Sequence, residues 1–199
     1  MKQRRKQPVQ TRQAILEAVG AELSLNGYAG AGIAPVVARA GLTKGALFHH
    51  FPDKRALVLA WISEHLTRQL ETLWTAPLEA VDSLDALRAL CRTRCLALRP
   101  GDTISVLVSL TAETAAMDPL LCVALQGVLK SWRGAVERML ERGKAEGWIH
   151  RSIQPAGEAV FFVACFCGFS VTRQSDSDEG TLRVCATTME GYLETLRVA

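Results

Sequence analysis

Ile33-Ala34-Pro35-Val36-Val37-Ala38-Arg39-Ala40-Gly41-Leu42-Thr43-Lys44-Gly45-Ala46-Leu47-Phe48-His49-His50-Phe51 decides the fold. Two short helical patterns meet at Ala40-Gly41-Leu42-Thr43. A glycine tolerates the positive φ that a tight turn requires, and Thr43 caps the helix that follows. That is the sequence form of two helices joined by a turn of a few residues, a helix-turn-helix. Such a motif lays the N-terminal end of its second helix in the major groove of DNA. The first turn of the second helix, Thr43, Lys44, Gly45 and Ala46, is small and polar, so its backbone has access to base edges. Exposed N–H groups at a helix start attract phosphate oxygens. His49, His50 and Lys54 supply donors for the DNA backbone, and Val37, Leu47 and Phe51 form the buried side that sets the angle between the helices. Partial burial at a helix end is the alternative for the histidines. Neighbouring residues point apart and no acid or cysteine lies at ligand spacing, so a metal role is disfavoured.

Working outward, the chain divides into about nine helical segments, and no run alternates as a strand would. The first covers 11–26, with Thr11 as cap, Ile15, Leu16, Val19 and Leu23 as its apolar face, and Gly27 just past its end. After 33–40 and 44–50, the fourth starts behind Asp53 and runs to Trp74. The fifth covers 84–98 behind Ser83, the sixth 103–117, and the seventh opens on Asp118-Pro119 and reaches Gly147. The last two cover about 155–174 and 179–197. The expected architecture is all-α: a basic arm over 1–10, a DNA-binding domain over 11–56 with the motif at about 32–51, and a larger helical body over 57–199.

The charge pattern agrees. The 199 residues carry a formal +3. Residues 1–55 hold 9 basic and 3 acidic residues, and the remainder 14 and 17. A basic head on a slightly acidic body fits a polyanionic partner at one end only. Lys2, Arg4, Arg5 and Lys6 either extend the DNA contact or form a solubilising tail. No apolar run follows them, so no export signal is read. The most apolar window, 159–171, falls short of the roughly 20 residues of a bilayer span and reads as a buried or interface helix. The six cysteines, Cys91, Cys95, Cys122, Cys165, Cys167 and Cys185, lie in apolar surroundings, which implies free thiols in a reducing cytoplasm. Cys91 and Cys95 share a helix face; core packing is the plain reading and thiol sensing the alternative.

Gly27-Tyr28 followed by Ala40-Gly41-Leu42-Thr43-Lys44-Gly45-Ala46-Leu47-Phe48-His49-His50-Phe51-Pro52-Asp53-Lys54-Arg55-Ala56-Leu57 resembles the N-terminal domain of the TetR family of transcriptional regulators, over roughly residues 11–58. The resemblance implies an Ω-shaped homodimer whose first three helices and start of the fourth bind DNA. The later helices would enclose a small-molecule pocket, and the last two would form a four-helix dimer interface. It assigns Gly32, Thr43, Lys44, Gly45, Ala46, Phe48, His49, His50 and Lys54 to bases and phosphates. Three positions depart from the family: Gly32 where Thr or Ser is usual, Pro35 where an acid is common, and Phe48 in place of tyrosine.

In the body, Trp61, His65, Cys95, Leu107, Thr111, Glu113, Thr114, Trp132, Phe162 and Phe166 are the ligand-lining candidates, with ordinary core packing as the alternative. Glu113 stands out as an acid in an otherwise apolar helix. Phe162, Phe166, Phe169, Met189 and Leu193 are the expected dimer contacts, and Ala164 and Gly168 allow close helix approach. The expected partners are operator DNA, a second copy and a small-molecule effector, with no membrane, cofactor or metal. No nucleophile–base order or phosphate loop indicates an enzyme. A Cys/His-dependent enzyme and a DNA-binding scaffold without a ligand are the alternative classes.

Overall fold

The computed structural model describes residues 8–176 and 178–198. Among the described residues there are nine helical runs and no strand; one isolated bridge joins Ile149 and Arg197. α1 is Pro8–Gly30, α2 Ile33–Ala40 and α3 Lys44–His50. α4 is one run over 54–80. It begins as Lys54–Trp61 and includes π-helical turns at Ile62–Leu66 and Glu71–Thr75. α5 is Leu84–Leu96, α6 Thr103–Thr114, α7 Pro119–Glu146, α8 Pro155–Ser175 and α9 Glu179–Glu194.

Several boundaries differ from the sequence reading. α1 starts at Pro8, so Thr11 is a buried helical residue and not a cap. α4 passes Trp74 and Pro77 and ends at Ala80. Proline removes an amide that an α-helix needs, but the π turn just before it has already displaced the hydrogen-bond ladder. α5, α6 and α9 each end two or three residues early. α8 has 21 residues and is long and apolar enough to cross a bilayer by length and composition. The helix matches the 155–174 read from the sequence to within one residue, and its buried face carries Ala159, Phe162, Val163 and Phe166.

The chain forms two compact units, 1–68 with 109–125, and 69–108 with 126–199. The unit holding the motif is therefore larger than the 11–56 span read from the sequence. In its core Ile15, Leu16, Val19 and Leu23 of α1 are nearly inaccessible, as are Val36, Leu47, Phe51, Leu57 and Val58. Val37, expected to be buried, is half-exposed; its neighbour Val36 takes the core position.

In the second unit α5 packs along α9. Leu84, Leu87, Cys91 and Cys95 face Leu182, Ala186, Met189 and Leu193, all buried. Arg92–Glu190 at 3.0 Å and Arg88–Glu194 at 3.1 Å flank that seam. A second cluster is aromatic. Trp74 lies 4.4 Å from Phe166, 5.1 Å from Trp132 and 5.5 Å from Phe162, ring centre to ring centre. These are tilted and edge-to-face arrangements, which aromatic quadrupoles favour over stacked sandwiches.

Candidate nucleic-acid interface and effector pocket

Local chemistry builds the turn between α2 and α3. Gly41 adopts φ 65° and ψ 41°, the left-handed conformation. Its N–H donates to Ala38 O, and the Leu42 N–H donates to Val37 O. Together these close the end of α2 as a glycine-terminated helix does. Two residues later the Thr43 hydroxyl accepts the Ala46 N–H at 3.2 Å and caps α3. Phe51 terminates the short helix, and Asp53 caps α4 by accepting the Ala56 N–H at 2.7 Å.

This leaves one side of α3 exposed. Thr43, Lys44, Gly45, Phe48 and His49 face solvent, Ala46 and His50 are half-buried, and Leu47 is fully inside. The two imidazoles lie 5.5 Å apart, edge to face. Gly32 caps α2 without a side chain. A Cβ there would sit 3.0 Å from the Pro35 ring, so the two departures from the family pattern belong together: the proline ring occupies space that Thr or Ser would use. The basic arm at Lys2–Lys6 lies outside the described residues.

Lys54 differs from the sequence expectation of a free phosphate donor. Its ammonium donates to Ala29 O at 3.3 Å and lies 4.8 Å from the centre of the Tyr28 ring. Burial holds its pKa below the ordinary lysine value, with Glu113 opposing that effect.

Glu113, read from the sequence as a candidate ligand contact, is engaged within its own chain. Its two carboxylate oxygens accept the N–H groups of Tyr28 and Ala29, each at 2.6 Å. Those amides follow Gly27, where α1 kinks with φ 64°. A Cβ on Gly27 would approach Glu113 Oε2 to 2.7 Å. Glycine is therefore required twice, for its backbone angle and for the close approach of the carboxylate. Nearby, Arg55 Nε donates to Asp118 Oδ2 at 2.6 Å. That bond lowers the Asp118 pKa, and Asp118 also caps α7 through the Leu120 and Leu121 amides. Glu22, a buried acid of α1, accepts from Asn26 and Arg39.

None of the ten ligand candidates lines the cavity found in the second unit. Leu73, Trp74, Arg94, Ala97, Leu98, Asp102, Thr103 and Ile104 surround about 100 Å³ of space there. Trp132, Phe162 and Phe166 are consumed by the aromatic cluster, and Leu107 is fully buried. Cys95 donates to Leu182 O. In the first unit, Trp61 is buried beside His65, and the Thr114 hydroxyl donates to Leu110 O. Thr111 is half-buried there. Periodicity marks these residues as inward-facing, which core residues and cavity walls share.

The expected dimer contacts also need correction. Phe162, Phe166, Met189 and Leu193 are at most 3% exposed, so their own chain already covers them, and Phe169 is half-buried. The exposed apolar side chains of these helices are Val160, Phe161 and Val171 of α8 and Val184 of α9. Burial pushes the Cys95 thiol up to about 12, and Cys91 is raised as well. Inaccessible neutral thiols are poor sensors. Among the described residues no group of three or more His, Cys, Asp or Glu is placed to hold a metal.

A capped α3 presented beside a glycine turn has the geometry of a helix-turn-helix. Residues 15–61 match the family described as bacterial regulatory proteins, tetR family. The A-factor receptor protein of Streptomyces griseus is 28% identical over 183 residues, covering 88% of this chain and 59% of its own. The HTH-type transcriptional repressor AcnR of Corynebacterium efficiens is 41% identical over 66 residues, 33% of this chain and 35% of its own. The chain thus spans less than two thirds of either relative. A TetR transcriptional regulator from Chloroflexus aurantiacus superimposes with a TM-score of 0.84 over 96% of this chain and 98% of that one, at 21% identity.

Proposed function

We propose that the protein is a dimeric repressor that leaves its operator when a small molecule binds the second unit. The observation that carries the DNA half is the exposed, capped start of α3, with Lys44 at its first position. Lys44, Gly45 and the Thr43 backbone read bases, while Phe48, His49 and His50 meet the backbone of the same groove. Two copies then place two α3 helices about one turn of DNA apart on a near-palindromic site.

The release step follows from α6. One helix carries Thr103 and Ile104, which line the cavity, at its start and Glu113 at its end. A shift of α6 on ligand binding moves Glu113 against the Tyr28 and Ala29 amides and disturbs the end of α1. By linkage the effector binds the free dimer more tightly than the operator complex; an effector with equal affinity for both changes nothing.

Operator fragments selected from genomic DNA provide the test. Lys44→Ala and His50→Ala should weaken operator binding about tenfold or more while the fold and dimer persist. Unchanged affinity in both variants overturns the placement of the recognition helix. Equal competition by bulk DNA for the wild-type protein overturns sequence-specific regulation.

A further inference from the structure

The cavity of the second unit combines an apolar wall with one cation; Arg88 and Arg173 also bury an Nε without an acceptor, but of these arginines Arg94 alone lines the cavity. Leu73, Trp74, Ala97, Leu98 and Ile104 supply the wall. Arg94 also lines it, and the Arg94 Nε is buried with no hydrogen-bond acceptor. Its neighbours on and after α5 are all engaged. Arg88 pairs with Glu194 and Arg92 with Glu190, and Arg99 donates to the carbonyls of Leu96 and Leu98. Among the described residues, no hydrogen bond or ion pair engages Arg94. A buried cationic donor left without an acceptor is costly, and such groups are normally paired.

Asp102 is the acid in the same wall, but it is committed to the start of α6. Its two oxygens accept the Arg99 and Ser105 amides, both at 2.9 Å. It satisfies one N–H of α6 and one of the segment before it, and forms no ion pair with Arg94. The cavity therefore presents a half-buried arginine whose Nε–H lacks an acceptor, a spent carboxylate and an apolar lining.

We propose that this cavity takes a small amphiphile with a carboxylate head. The carboxylate pairs with Arg94, whose planar fork matches two carboxylate oxygens. The apolar body lies against Leu73, Trp74 and Leu98. The volume of about 100 Å³ suits a short chain or a single ring, not a large multi-ring molecule. This inference rests on the ligand-gated reading above and names the chemistry of that ligand.

Three isosteric probes separate the possibilities: hexanoate, hexanamide and hexylamine, titrated calorimetrically into the full-length protein without DNA. The expected result is binding of hexanoate at least about tenfold tighter than hexanamide, with no binding of hexylamine. Arg94→Gln, checked for native helicity and melting, should lose that preference, and Arg94→Lys should keep part of it. Equal affinity for hexanoate and hexanamide overturns the proposal. So does preferential binding of hexylamine, absence of hexanoate binding up to millimolar concentrations, or full retention of hexanoate affinity by a folded Arg94→Gln protein. Operator release is measured separately by fluorescence anisotropy. Selective hexanoate binding without DNA release fails the gating reading but leaves the carboxylate site standing.

Discussion

Glu113 shows what a single residue can and cannot announce. An acid in the last turn of an apolar helix is visible in the sequence, and it drew attention as a polar ligand contact. Its partners are the amides of Tyr28 and Ala29, more than eighty residues away, and no local pattern encodes that pairing. Thr43, Gly41 and Asp53 were legible because each acts within three or four residues of itself. Removing the Glu113 carboxylate leaves two amides at the α1 kink without their acceptor. Glu113→Ala should therefore destabilise the protein by about 2 kcal/mol, read as a lowered denaturation midpoint. Glu113→Asp, one methylene shorter, should recover little of the loss, because both oxygens must reach adjacent amides. An unaltered midpoint for Glu113→Ala would mean that solvent serves these amides equally well. Lys54 is engaged in the same place: its ammonium donates to Ala29 O and lies over the Tyr28 ring, beside the α1 kink.

At the scale of helices, caps were the readable part and continuity was not. Ser83, Asp53 and Thr43 accept the amides expected of N-caps, and Asp118-Pro119 opens α7 as the sequence indicated. The two π turns of α4 leave no compositional trace, since a widened turn answers to packing and not to a residue type. They are also why Pro77 failed as a stop. The Asp118 cap makes a pH prediction. Its pKa is lowered, chiefly by the hydrogen bond from Arg55, with the Leu121 and Leu120 amides adding to it. The folded state thus binds this proton less readily than the unfolded chain, so the stabilisation is complete above the unfolded carboxylate pKa of about 3.9. It disappears as pH falls through the lower folded value. Asp118→Asn should be less stable than wild type in denaturant titrations at pH 6. The gap should narrow below about pH 4 and close once the Asp118 carboxyl is protonated in both the folded and the unfolded chain. A gap of constant size down to pH 2 would show that the amide replacement perturbs packing and that the charge of Asp118 contributes nothing.

Over the whole molecule, charge divides the chain into a basic head and a slightly acidic remainder. Net charge is +6 over residues 1–55 and −3 over the rest, so the body lacks the positive field that draws DNA. Its distinctive surface is apolar instead. Val160, Phe161 and Val171 are each about half exposed and fall on one stripe of α8 with the exposed Gly157, Ala164 and Gly168; Val184 of α9 is about two thirds exposed. Phe162, Phe166, Met189 and Leu193, expected from the sequence as subunit contacts, are buried within their own chain, because hydrophobicity alone does not tell a side chain turned inward from one turned outward. Large apolar side chains clustered beside small ones favour close approach of a second helix, and contiguous exposed apolar patches mark association sites. In the proposed dimer, a self-complementary pairing through α8 and α9 would join two chains about a twofold axis, as a near-palindromic site requires. Phe161→Asp with Val171→Asp places two charges in that surface without touching the buried Phe162 and Phe166 cluster. In sedimentation equilibrium the wild type should weigh twice 21.7 kDa and the double variant 21.7 kDa, with helicity retained. Operator affinity should fall by orders of magnitude, since each half-site is then bound singly and the linkage between the two heads is lost. A double variant that stays dimeric would place the subunit contact elsewhere. One that becomes monomeric yet keeps full operator affinity would remove the twofold argument, because a single α3 would then suffice for recognition.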